Sequence, residues 1–556
     1  MIAGARHSPP AGAVPWPGWK RWLPRFGMPL ATLNAMFTLE NIWPTLWARP
    51  GLRLSFELCM ATLALTAWLA ARDAASARML RTLAALTTFW VVTRYVEVTA
   101  SAVFGREINL YWDGRHLFDV LRMGNAAEWQ IALGAAVILA VVWLAYRVAH
   151  HCWAAIAREL AWHRPRPAIG VVGALLLGIF AMHGMGGRDT RWFFSMPVTP
   201  ILTRQAELLA GQLWPGSVAP RLSPSPAFDT HLGALRGADV LLIFAESYGV
   251  TTLDAPYQAA RLAPHRARLA EALRAGGRQV VSARVRSPTY GGASWLAHAE
   301  LLSGVGMQKP GHYELLLATQ RPTLVRHFKA HGYRTVSWMP GLQRPWPEGS
   351  FYAFDRYVDA NNMGYRGPDF GHWRIPDQAS VALMHSQELA AAPATRAPRL
   401  IVFPTLASHA PFRPLAPYVP DWDRLLRADA YAHDQVARAV AEPLSWLEPV
   451  PAYLDSLAYT FEWLGDYLSG RAPPNMLTIV IGDHQPMASV SGRDASWDVP
   501  VHIISAEPRL LKRFEAAGFT PGLLPIQPSS MSMHGLTTVL LSAFDGLSGS
   551  HASAAE

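Results

Sequence analysis

The feature that most constrains this chain is the confinement of its long apolar stretches to the first third of the sequence. Five such stretches lie before residue 187, and each is close to the roughly 20 residues that cross a bilayer as a helix. The predicted spans are about 28 to 47, 54 to 71, 82 to 104, 130 to 147 and 168 to 186. We therefore expect a multi-pass transmembrane domain at residues 1–186.

Polar residues mark three of these stretches, and Glu57, in the second, has no obvious partner in the sequence. Glu40, Asn41 and Pro44 interrupt the first, so its second half has the weakest helical pattern of the five. Arg94 and Glu97 lie three residues apart in the third, a spacing that places side chains on one helix face. Ionisable groups inside a membrane are costly, so these two either pair near the interface or serve a function.

Composition and charge indicate how the chain is divided and oriented. At 556 residues it is too long for one ordinary domain, and 51% hydrophobic with 16% charged residues is too apolar for a wholly soluble protein. With five spans, three basic clusters fall on one side, which the positive-inside rule makes cytoplasmic. The clusters are Lys20, Arg21 and Arg25; Arg72, Arg78 and Arg81; and Arg147, Arg158, Arg164 and Arg166. The segment after the fifth span is then extracytoplasmic.

Part of the net charge of +9 therefore comes from the basic clusters that indicate the orientation of the membrane spans. The sequence has no stripe of interleaved basic and aromatic residues, so we expect no nucleic-acid partner. Its only cysteines, Cys59 and Cys152, lie in the membrane part. The extracytoplasmic part is thus expected to be stable through its core, without disulfides.

A connector follows the membrane domain. Residues 187–236 combine a predicted amphipathic surface helix with a proline- and serine-rich run at 215–226, and this pattern predicts a juxtamembrane linker. An extracytoplasmic catalytic domain at residues 237–545 and a flexible tail at residues 546–556 complete the predicted organisation.

From about residue 238 short apolar runs alternate with helical patterns. This order is typical of an α/β domain whose mostly parallel sheet is covered on both faces. Strands are predicted at about 238–245, 278–284, 335–337, 400–403, 477–481 and 501–504, and helices at about 258–275, from residue 294, at 454–468 and at 537–544. The predicted fold class is therefore a helical membrane domain of about five spans followed by an α/β domain.

Two of the predicted strands end by delivering metal-binding side chains. Glu246 follows the first strand, and Asp483 and His484 follow the strand at 477–481. Open α/β sheets place their chemistry at the carboxyl ends of parallel strands. Two carboxylates and one imidazole suit Mn²⁺, Mg²⁺ or Zn²⁺, and the sequence does not choose among them. We expect one metal site; a simple turn or helix cap is the alternative for Asp483 and His484.

A candidate nucleophile follows the strand at 278–284. Two glycines precede Ser294, which falls at the start of a predicted helix, where unpaired backbone N–H groups favour an anion. A divalent metal at the predicted site would lower the pKa of this hydroxyl. Ser294 could instead be only a helix cap near Glu300, and Thr289 is a rival nucleophile that fits the pattern less well.

Together with a histidine, these motifs occur in a recognisable order. Glu246 lies in Phe-Ala-Glu-Ser-Tyr-Gly, Ser294 in Gly-Gly-Ala-Ser-Trp-Leu-Ala-His-Ala-Glu, His409 in Thr-Leu-Ala-Ser-His-Ala-Pro-Phe, and Asp483 and His484 in Ile-Gly-Asp-His-Gln. This order resembles the alkaline phosphatase and sulfatase superfamily over roughly residues 236–545. With five predicted spans ahead of it, the chain is most similar to the branch of lipoteichoic acid synthases and membrane phosphoglycerol or phosphoethanolamine transferases.

The resemblance implies a metal-dependent phosphotransferase of the bacterial inner membrane with a periplasmic catalytic domain. It would move a phospholipid head group to an envelope glycan or lipid through a phosphoserine. Glu246, Ser294, Asp483 and His484 would be the metal ligands, Ser294 also the nucleophile, and His409 would contact the phosphate or assist a hydroxyl group. The implied cofactor is one divalent cation, with Mn²⁺ favoured and Zn²⁺ or Mg²⁺ as alternatives.

Departures from the family pattern bear on the substrate. The closest branch usually has Thr at the Ser294 position. Trp346 fits the Trp of a glycerol phosphate motif, but Glu348 replaces the Arg that follows it by two residues. A carboxylate there would repel a phosphate and attract an ammonium group, which leaves phosphoethanolamine transfer open. The lack of cysteines in the exported part is unlike lipid A phosphoethanolamine transferases, and Ser294 lacks the x-Pro-x-Arg context of a true sulfatase.

Simpler readings remain open at this stage. His409 could be an ordinary loop histidine, Trp346 could serve packing alone, and His298, His502 and His534 are interpreted as structural. For the whole chain, the alternatives to a transferase are a membrane-anchored phosphatase, phosphodiesterase or sulfatase-like hydrolase and a non-catalytic lipid sensor.

Overall fold

The computed structural model divides the chain into two compact units. It describes residues 19–546 apart from 44, 73, 111–112, 115–126, 163–164, 187–192, 214–221, 309–310, 445, 447, 526–528 and 530. One unit comprises Met1–Thr99 and Ala127–Arg204, and the other comprises Ala100–Ala126 and Gln205–Glu556. The second unit thus includes a segment that precedes the predicted linker. The domain boundaries at residues 186, 236 and 545 stay predictions. The tail from residue 547 lies outside the described residues.

The first unit is helical. Its helices are α1 (Trp19–Phe37), α2 (Phe56–Arg72), α3 (Ala77–Phe104, of which the last turn belongs to the second unit), α4 (Glu128–Leu160), α5 (Arg166–Gly186) and the start of α6 (Thr199–Leu213). A buried cluster that includes Leu33, Leu65, Trp153 and Ile156 joins helices α1 to α4, and Ile169 of α5 packs against it. Among the described residues, α4 alone is both long and apolar enough to cross a membrane, with a mean hydropathy of 2.2 in its best window. The five predicted spans are therefore not confirmed as spans, although a helix lies in each region.

The first predicted span is wrong in its second half. Helix α1 ends at Phe37, and strands β1 (Leu39–Asn41) and β2 (Ala48–Pro50) then form an antiparallel pair. The polar residues Glu40 and Asn41, which weakened the helical pattern, lie in β1.

Arg94 of the third predicted span binds backbone groups. Its Nε donates to the carbonyl oxygen of Leu39 across 2.9 Å, and its Nη1 to that of Met196 across 3.4 Å. Glu57 accepts hydrogen bonds from the Ser55 hydroxyl and the Val198 backbone N–H. Arg94, which is buried, and Glu57, which is partly buried, therefore connect helices to loops within the unit.

The second unit is built on an eight-stranded sheet. Its strands are β3 (Val240–Ala245), β4 (Gln279–Arg286), β5 (Arg334–Met339), β6 (Arg356–Asp359), β7 (Arg399–Pro404), β8 (Leu477–Gly482), β9 (Asp498–Ser505) and β10 (Thr520–Pro521), in the order β10-β4-β9-β8-β3-β7-β5-β6. The five strands from β8 to β6 are parallel to one another. On the other side of β8 follow β9, β4 and β10, and each of these runs antiparallel to the strand before it. The predicted mostly parallel sheet is confirmed.

Both faces of the sheet are buried, which explains the uninterrupted apolar runs of its central strands. Along β3, Leu241, Ile243 and Ala245 belong to one core cluster, while Val240, Leu242 and Phe244 belong to the other. Successive side chains of a strand point to opposite faces, so a strand buried on both sides must be apolar throughout.

Helices cover each face. The helices of this unit are α7 (Thr251–Asp254), α8 (Pro256–Ala275), α9 (Ser294–Ser303), α10 (His312–Leu317), α11 (Leu324–Ala330), α12 (Asp377–Met384), α13 (His433–Ala441), α14 (Val450–Gly470), α15 (Ala488–Ser491), α16 (Pro508–Ala516) and α17 (Met533–Phe544). The long helices α8 and α14 supply Leu262, Leu269, Leu454 and Leu457 to the first cluster. Helices α9, α11, α16 and α17 supply side chains to the second.

The strand register places the loops that carry the candidate site at one edge. Strand β3 pairs with β8 so that Ala245 lies opposite Gly482, and with β7 so that Phe244 lies opposite Pro404. The residues that follow each strand, Glu246, Asp483 and Thr405, therefore leave the sheet side by side at its carboxyl edge.

Candidate active site

Glu246, Asp483 and His484 come together at the carboxyl ends of β3 and β8. Their side chains are buried, and one ligand atom of each lies within 4.8 Å of the other two. His484 Nε2 is 3.5 Å from Glu246 Oε1 and 3.5 Å from Asp483 Oδ2. Two buried carboxylates beside one imidazole form a compact group suited to a cation.

Ser294 joins this group through a sharply bent loop. Gly291, Gly292 and Ala293 all have positive φ, and a side chain at Gly291 would meet the Phe104 carbonyl oxygen at 2.1 Å. The bend delivers Ser294 as the first residue of α9. Its Oγ lies 3.1 Å from Glu246 Oε2, to which it donates, and 3.2 Å from His484 Nε2.

The tautomer of His484 follows from its other ring nitrogen. Nδ1 lies 2.7 Å from the carbonyl oxygen of Gln485, which can only accept, so Nδ1 carries the proton. Nε2 therefore presents its lone pair to the carboxylates and to Ser294. This arrangement, in which a backbone carbonyl orients the ring, is the usual support of a metal-binding histidine.

The residues fit a divalent cation. Asp483 Oδ2 is buried and has no hydrogen-bond partner among the described residues, whereas Asp483 Oδ1 accepts from the backbone N–H groups of Ser247 and His484. Burial and the neighbouring carboxylate of Asp483 raise the pKa of Glu246 well above its usual range. Two carboxylates this close cannot easily both be ionised, and a cation between them would remove that conflict.

Neighbouring hydroxyl groups hold Glu246. The Ser247 hydroxyl donates to Glu246 Oε1 across 2.9 Å, and the Glu246 backbone N–H donates to Thr405 Oγ1 across 3.0 Å. Ser408 Oγ donates to the Glu246 carbonyl oxygen. The loop after β7 therefore supports the group formed by Glu246, Asp483 and His484 through backbone and side-chain contacts.

His409 lies in this same loop, one residue after Ser408. Its Nδ1 is 2.7 Å from the carbonyl oxygen of Ala410, and its ring lies 4.6 Å from that of Trp373. Burial lowers the pKa of His409 to about 4. The ring is thus neutral near pH 7, with the lone pair on Nε2.

Trp346 and Glu348 lie in a different environment. The Trp346 ring stacks on Tyr352 at 5.8 Å and meets Tyr357 edge-on at 6.4 Å. Within the described part of the chain, no hydrogen bond, ion pair or ring contact joins Trp346 or Glu348 to Ser294 or its three partners. Their predicted role in substrate binding stays a prediction.

The remaining candidates occupy structural positions. Thr289 Oγ1 donates to the Gly292 carbonyl oxygen across 2.6 Å and so braces the bend ahead of Ser294. His502 contacts Ser282 and Tyr248, and His534 contacts buried Glu300. His298 lies on α9 one turn after Ser294, with its ring 4.2 Å from Phe244.

The sequence reasoning missed the residues that support the site. Ser247, Thr405 and Ser408 are small hydroxyl residues in loops that follow β3 and β7. Asp377, at the start of α12, accepts the backbone N–H groups of Leu406 and Ala407 at 2.8 and 2.9 Å and fixes the loop that carries His409. The only available signal was their position beside predicted strand ends, which does not distinguish them from ordinary loop residues.

Comparison with protein families and curated proteins gives one match. Residues 239–503, which contain every residue of the site, match the family model described as Sulfatase. No curated protein matches the chain.

Solved structures supply more distant matches. A protein in the alkaline phosphatase superfamily from Vibrio parahaemolyticus is 16% identical, with 51% of this chain and 63% of that chain covered and a TM-score of 0.34. The chain thus spans less than two thirds of that protein. The lipoteichoic acid synthase LtaP from Listeria monocytogenes is 11% identical, with 57% and 79% covered and a TM-score of 0.35. The C-terminal periplasmic domain of EcEptC from Escherichia coli is 15% identical, with 56% and 93% covered and a TM-score of 0.35.

Proposed function

We propose that residues 239–503, which match the family model described as Sulfatase, form the catalytic domain of an enzyme of the alkaline phosphatase superfamily, and that this enzyme transfers a phospholipid head group to an acceptor in the cell envelope. Ser294 is the nucleophile, and the head group is phosphoglycerol or phosphoethanolamine. The observation that carries the proposal is the position of Ser294 Oγ, 3.1 Å from Glu246 Oε2 and 3.2 Å from His484 Nε2, beside Asp483.

Glu246, Asp483 and His484 would hold one divalent cation, with Mn²⁺ favoured. The chemistry that such a cation supplies is a lower pKa for a ligated hydroxyl and compensation of charge on a phosphoryl oxygen. Placement at the first residue of α9 adds the positive end of a helix dipole near the phosphate.

In the first half of the reaction, Ser294 Oγ attacks the phosphorus of the phospholipid. Its proton passes to Glu246 Oε2, the bond from phosphorus to the diacylglycerol oxygen breaks, and that oxygen takes a proton from water. Ser294 then carries the head group as a phosphodiester. In the second half the acceptor hydroxyl attacks the same phosphorus, His409 Nε2 takes the hydroxyl proton, and Ser294 regains its own from Glu246. His409 then gives its proton to the hydroxide that the first half left behind, so the enzyme returns to its starting state.

The membrane part favours a lipid as donor. Helix α4 is apolar over a length that crosses a bilayer, and its middle residues are exposed. We place the chain in the inner membrane of a bacterium as a multi-pass protein, with the catalytic domain on the periplasmic side.

The proposal is tested with the full-length protein in lipid nanodiscs that contain phosphatidylglycerol and phosphatidylethanolamine. Diacylglycerol release is measured by mass spectrometry for the unmodified protein, for Ser294→Ala and for Ser386→Ala, an exposed serine of the same unit. We expect loss of release by at least about a thousandfold in Ser294→Ala only. Equal release from Ser294→Ala and the unmodified protein would overturn the nucleophile assignment.

The same samples distinguish a transferase from a hydrolase. A transferase gives an adduct of the head group with an added acceptor, whereas a phosphodiesterase gives only the free head-group phosphate. If only the free head-group phosphate forms in the presence of envelope glycans and glycolipids, the protein is a hydrolase and the proposed transferase activity is wrong.

A further inference from the structure

Three arginines surround one buried glutamate at the edge of the sheet opposite to the candidate active site. Arg334, Arg356 and Arg399 are the first residues of β5, β6 and β7. These strands are parallel, so their first residues lie at the amino edge of the sheet, whereas the candidate active site lies at the carboxyl edge. The glutamate is Glu388, which follows α12 in the chain. We call these four residues the arginine cluster.

All three arginines of the cluster bind the same carboxylate. Arg334 Nε and Arg399 Nε donate to Glu388 Oε2 across 3.2 and 3.0 Å. Arg356 Nη1 donates to Glu388 Oε1 across 2.7 Å. Burial raises the pKa of Glu388, but the hydrogen bonds from Arg356 and Arg334 outweigh this effect and hold the pKa below its usual value. The glutamate is therefore ionised, and one negative charge faces three positive charges.

The backbone brings these like charges together. Strand β5 pairs with β7 so that Arg334 lies opposite Arg399, although like charges on neighbouring strands repel each other. A π-helical turn, His385–Leu389, carries Glu388. Turns of π-helix are rare, and they occur frequently at functional sites. The cluster is therefore a built feature of the fold with an electrostatic cost.

Neighbouring carboxylates do not offset the excess charge. Asp239 is paired with Arg396, and Asp355 is paired with Lys329, so each of these pairs is neutral in itself. At the start of the π-helical turn, burial lowers the pKa of His385, and Arg471 and Arg396 lower it further. The surroundings of the cluster are therefore positive as well.

Some donor groups of the cluster are open to a ligand. Within the part of the chain that the structure describes, Arg334 forms side-chain hydrogen bonds through Nε alone, and Arg399 through Nε and Nη1. The Arg334 side chain is 41% exposed. Both terminal nitrogens of Arg334 and the Nη2 of Arg399 are thus available to an anion. A purely structural ion pair, such as that of Asp239 with Arg396, instead has one charge of each sign and two buried side chains.

We propose that the arginine cluster binds a phosphate group at a site separate from Ser294. The terminal nitrogens of Arg334 and Arg399 donate to its oxygens, because guanidinium groups match phosphate in both geometry and charge. A phosphate dianion also balances the two uncompensated positive charges. This inference uses no residue of the candidate active site and does not depend on the proposed function. A soluble phosphate and a lipid phosphate present the same group, and the test separates these two sources.

The test measures phosphate binding by the full-length protein in dodecyl maltoside. A chelator first removes divalent cations, so that the candidate active site offers no metal to the phosphate. The probe is inorganic phosphate, and the readout is the broadening of its phosphorus NMR signal as protein is added. Arg334→Gln and Arg356→Gln each remove one positive charge of the cluster. The matched control is Arg438→Gln, on the surface of α13, where the arginine is 74% exposed and paired with Asp434.

For Arg334→Gln and Arg356→Gln we expect phosphate binding to weaken at least about tenfold, because each change removes a charged partner of the anion. Arg438→Gln should bind as the unmodified protein does. Circular dichroism and Mn²⁺ content of the reloaded protein verify that each variant is folded. If Arg356→Gln does not fold, the exposed position of Arg334 still provides the test.

A second arm identifies the source of the phosphate. The unmodified protein is placed in phosphatidylcholine nanodiscs with and without phosphatidic acid. Loss of the broadening only when phosphatidic acid is present would show that a lipid phosphate occupies the cluster. Equal broadening in both kinds of nanodisc would identify a soluble phosphate as the ligand.

Three results would overturn the inference. They are the absence of broadening with the unmodified protein in detergent, equal binding by Arg334→Gln and the unmodified protein, and an equal loss of binding in Arg438→Gln. A lower free energy of unfolding in Arg334→Gln, with phosphate binding intact, would show that the arginine cluster is only a structural network.

Discussion

Ser294 Oγ donates to Glu246 Oε2 across 3.1 Å, although 48 residues separate them in the chain. The contact joins the first residue of α9 to the residue that follows β3, and β8 adds Asp483 and His484 beside them. A hydroxyl at such a position lies among groups able to take its proton and to bind a cation. This relationship is the basis of the predictions on metal binding and catalysis.

Loss of a metal ligand should weaken cation binding. Replacing Asp483 by Asn removes one negative charge beside the buried Oδ2 that has no partner among the described residues. We expect at least about 100-fold weaker Mn²⁺ binding, because changes in mere supporting residues already cost 10- to 100-fold. Isothermal titration and elemental analysis measure this, and Asp434→Asn, with a side chain 70% exposed, is the matched control. Unchanged metal content in Asp483→Asn would refute the site.

Ser247 should affect metal affinity through its hydrogen bond to Glu246. Its hydroxyl donates to Glu246 Oε1 across 2.9 Å, so Ser247→Ala leaves that oxygen less well oriented. We expect about 10- to 100-fold weaker metal affinity with the fold preserved. Equal metal affinity in Ser247→Ala and the unmodified protein would show that this contact is incidental.

His502 should make stability depend on pH. Burial, together with Arg266, lowers its pKa from 6.5 to about 3 in the native state. Below pH 6.5 the unfolded chain therefore binds a proton at His502, whereas the native chain does not. The contribution of His502 to the free energy of unfolding is thus complete above pH 6.5 and is lost as the pH falls toward 3. Between pH 7 and pH 5 this amounts to about 2 kcal/mol.

A variant that cannot titrate tests this statement. His502→Gln should lose less stability between pH 7 and pH 5 than the unmodified protein, as measured by thermal unfolding in detergent. His433→Gln, at an exposed helix start, controls for the loss of a histidine. Identical slopes for His502→Gln and the unmodified protein would contradict the expectation.

The ion pair between Asp239 and Arg396 should stabilise the entry to β3. Arg396 donates two hydrogen bonds of 2.7 Å to Asp239, and both side chains are buried. Removing one partner of a buried pair leaves an uncompensated charge, so Asp239→Asn should lower the free energy of unfolding by about 3–5 kcal/mol. Denaturant unfolding measures the change. Breaking the exposed pair of Asp434 and Arg438 should cost less than about 0.5 kcal/mol, and similar losses for both pairs would contradict this account.

Much of this architecture was predictable from local pattern. Strands β3 and β8 are buried on both faces, so their residues had to form uninterrupted apolar runs, and the polar residues after them had to lie at one edge. That logic identified Glu246, Asp483 and His484 together.

Other features depend on tertiary pairing that no local pattern encodes. Strands β4 and β9 were expected, but the sequence did not show that they pair antiparallel. Their direction depends on which strands they pair with in the folded sheet. Strand β6, Arg356–Asp359, was not expected, because two of its four residues are charged. The contacts of Thr405 and Ser408 with Glu246 require the register of β3 with β7.

The central claim is that Ser294 carries the head group as a covalent intermediate. The most direct measurement is acid quenching of the full-length protein after one turnover with phosphatidylglycerol and phosphatidylethanolamine, followed by proteolysis and mass spectrometry of the peptide that contains Ser294. We predict a glycerophosphoryl or phosphoethanolamine adduct on Ser294 that is absent from Ser294→Ala. An adduct on Thr289, or continued turnover of Ser294→Ala without any adduct, would contradict the account.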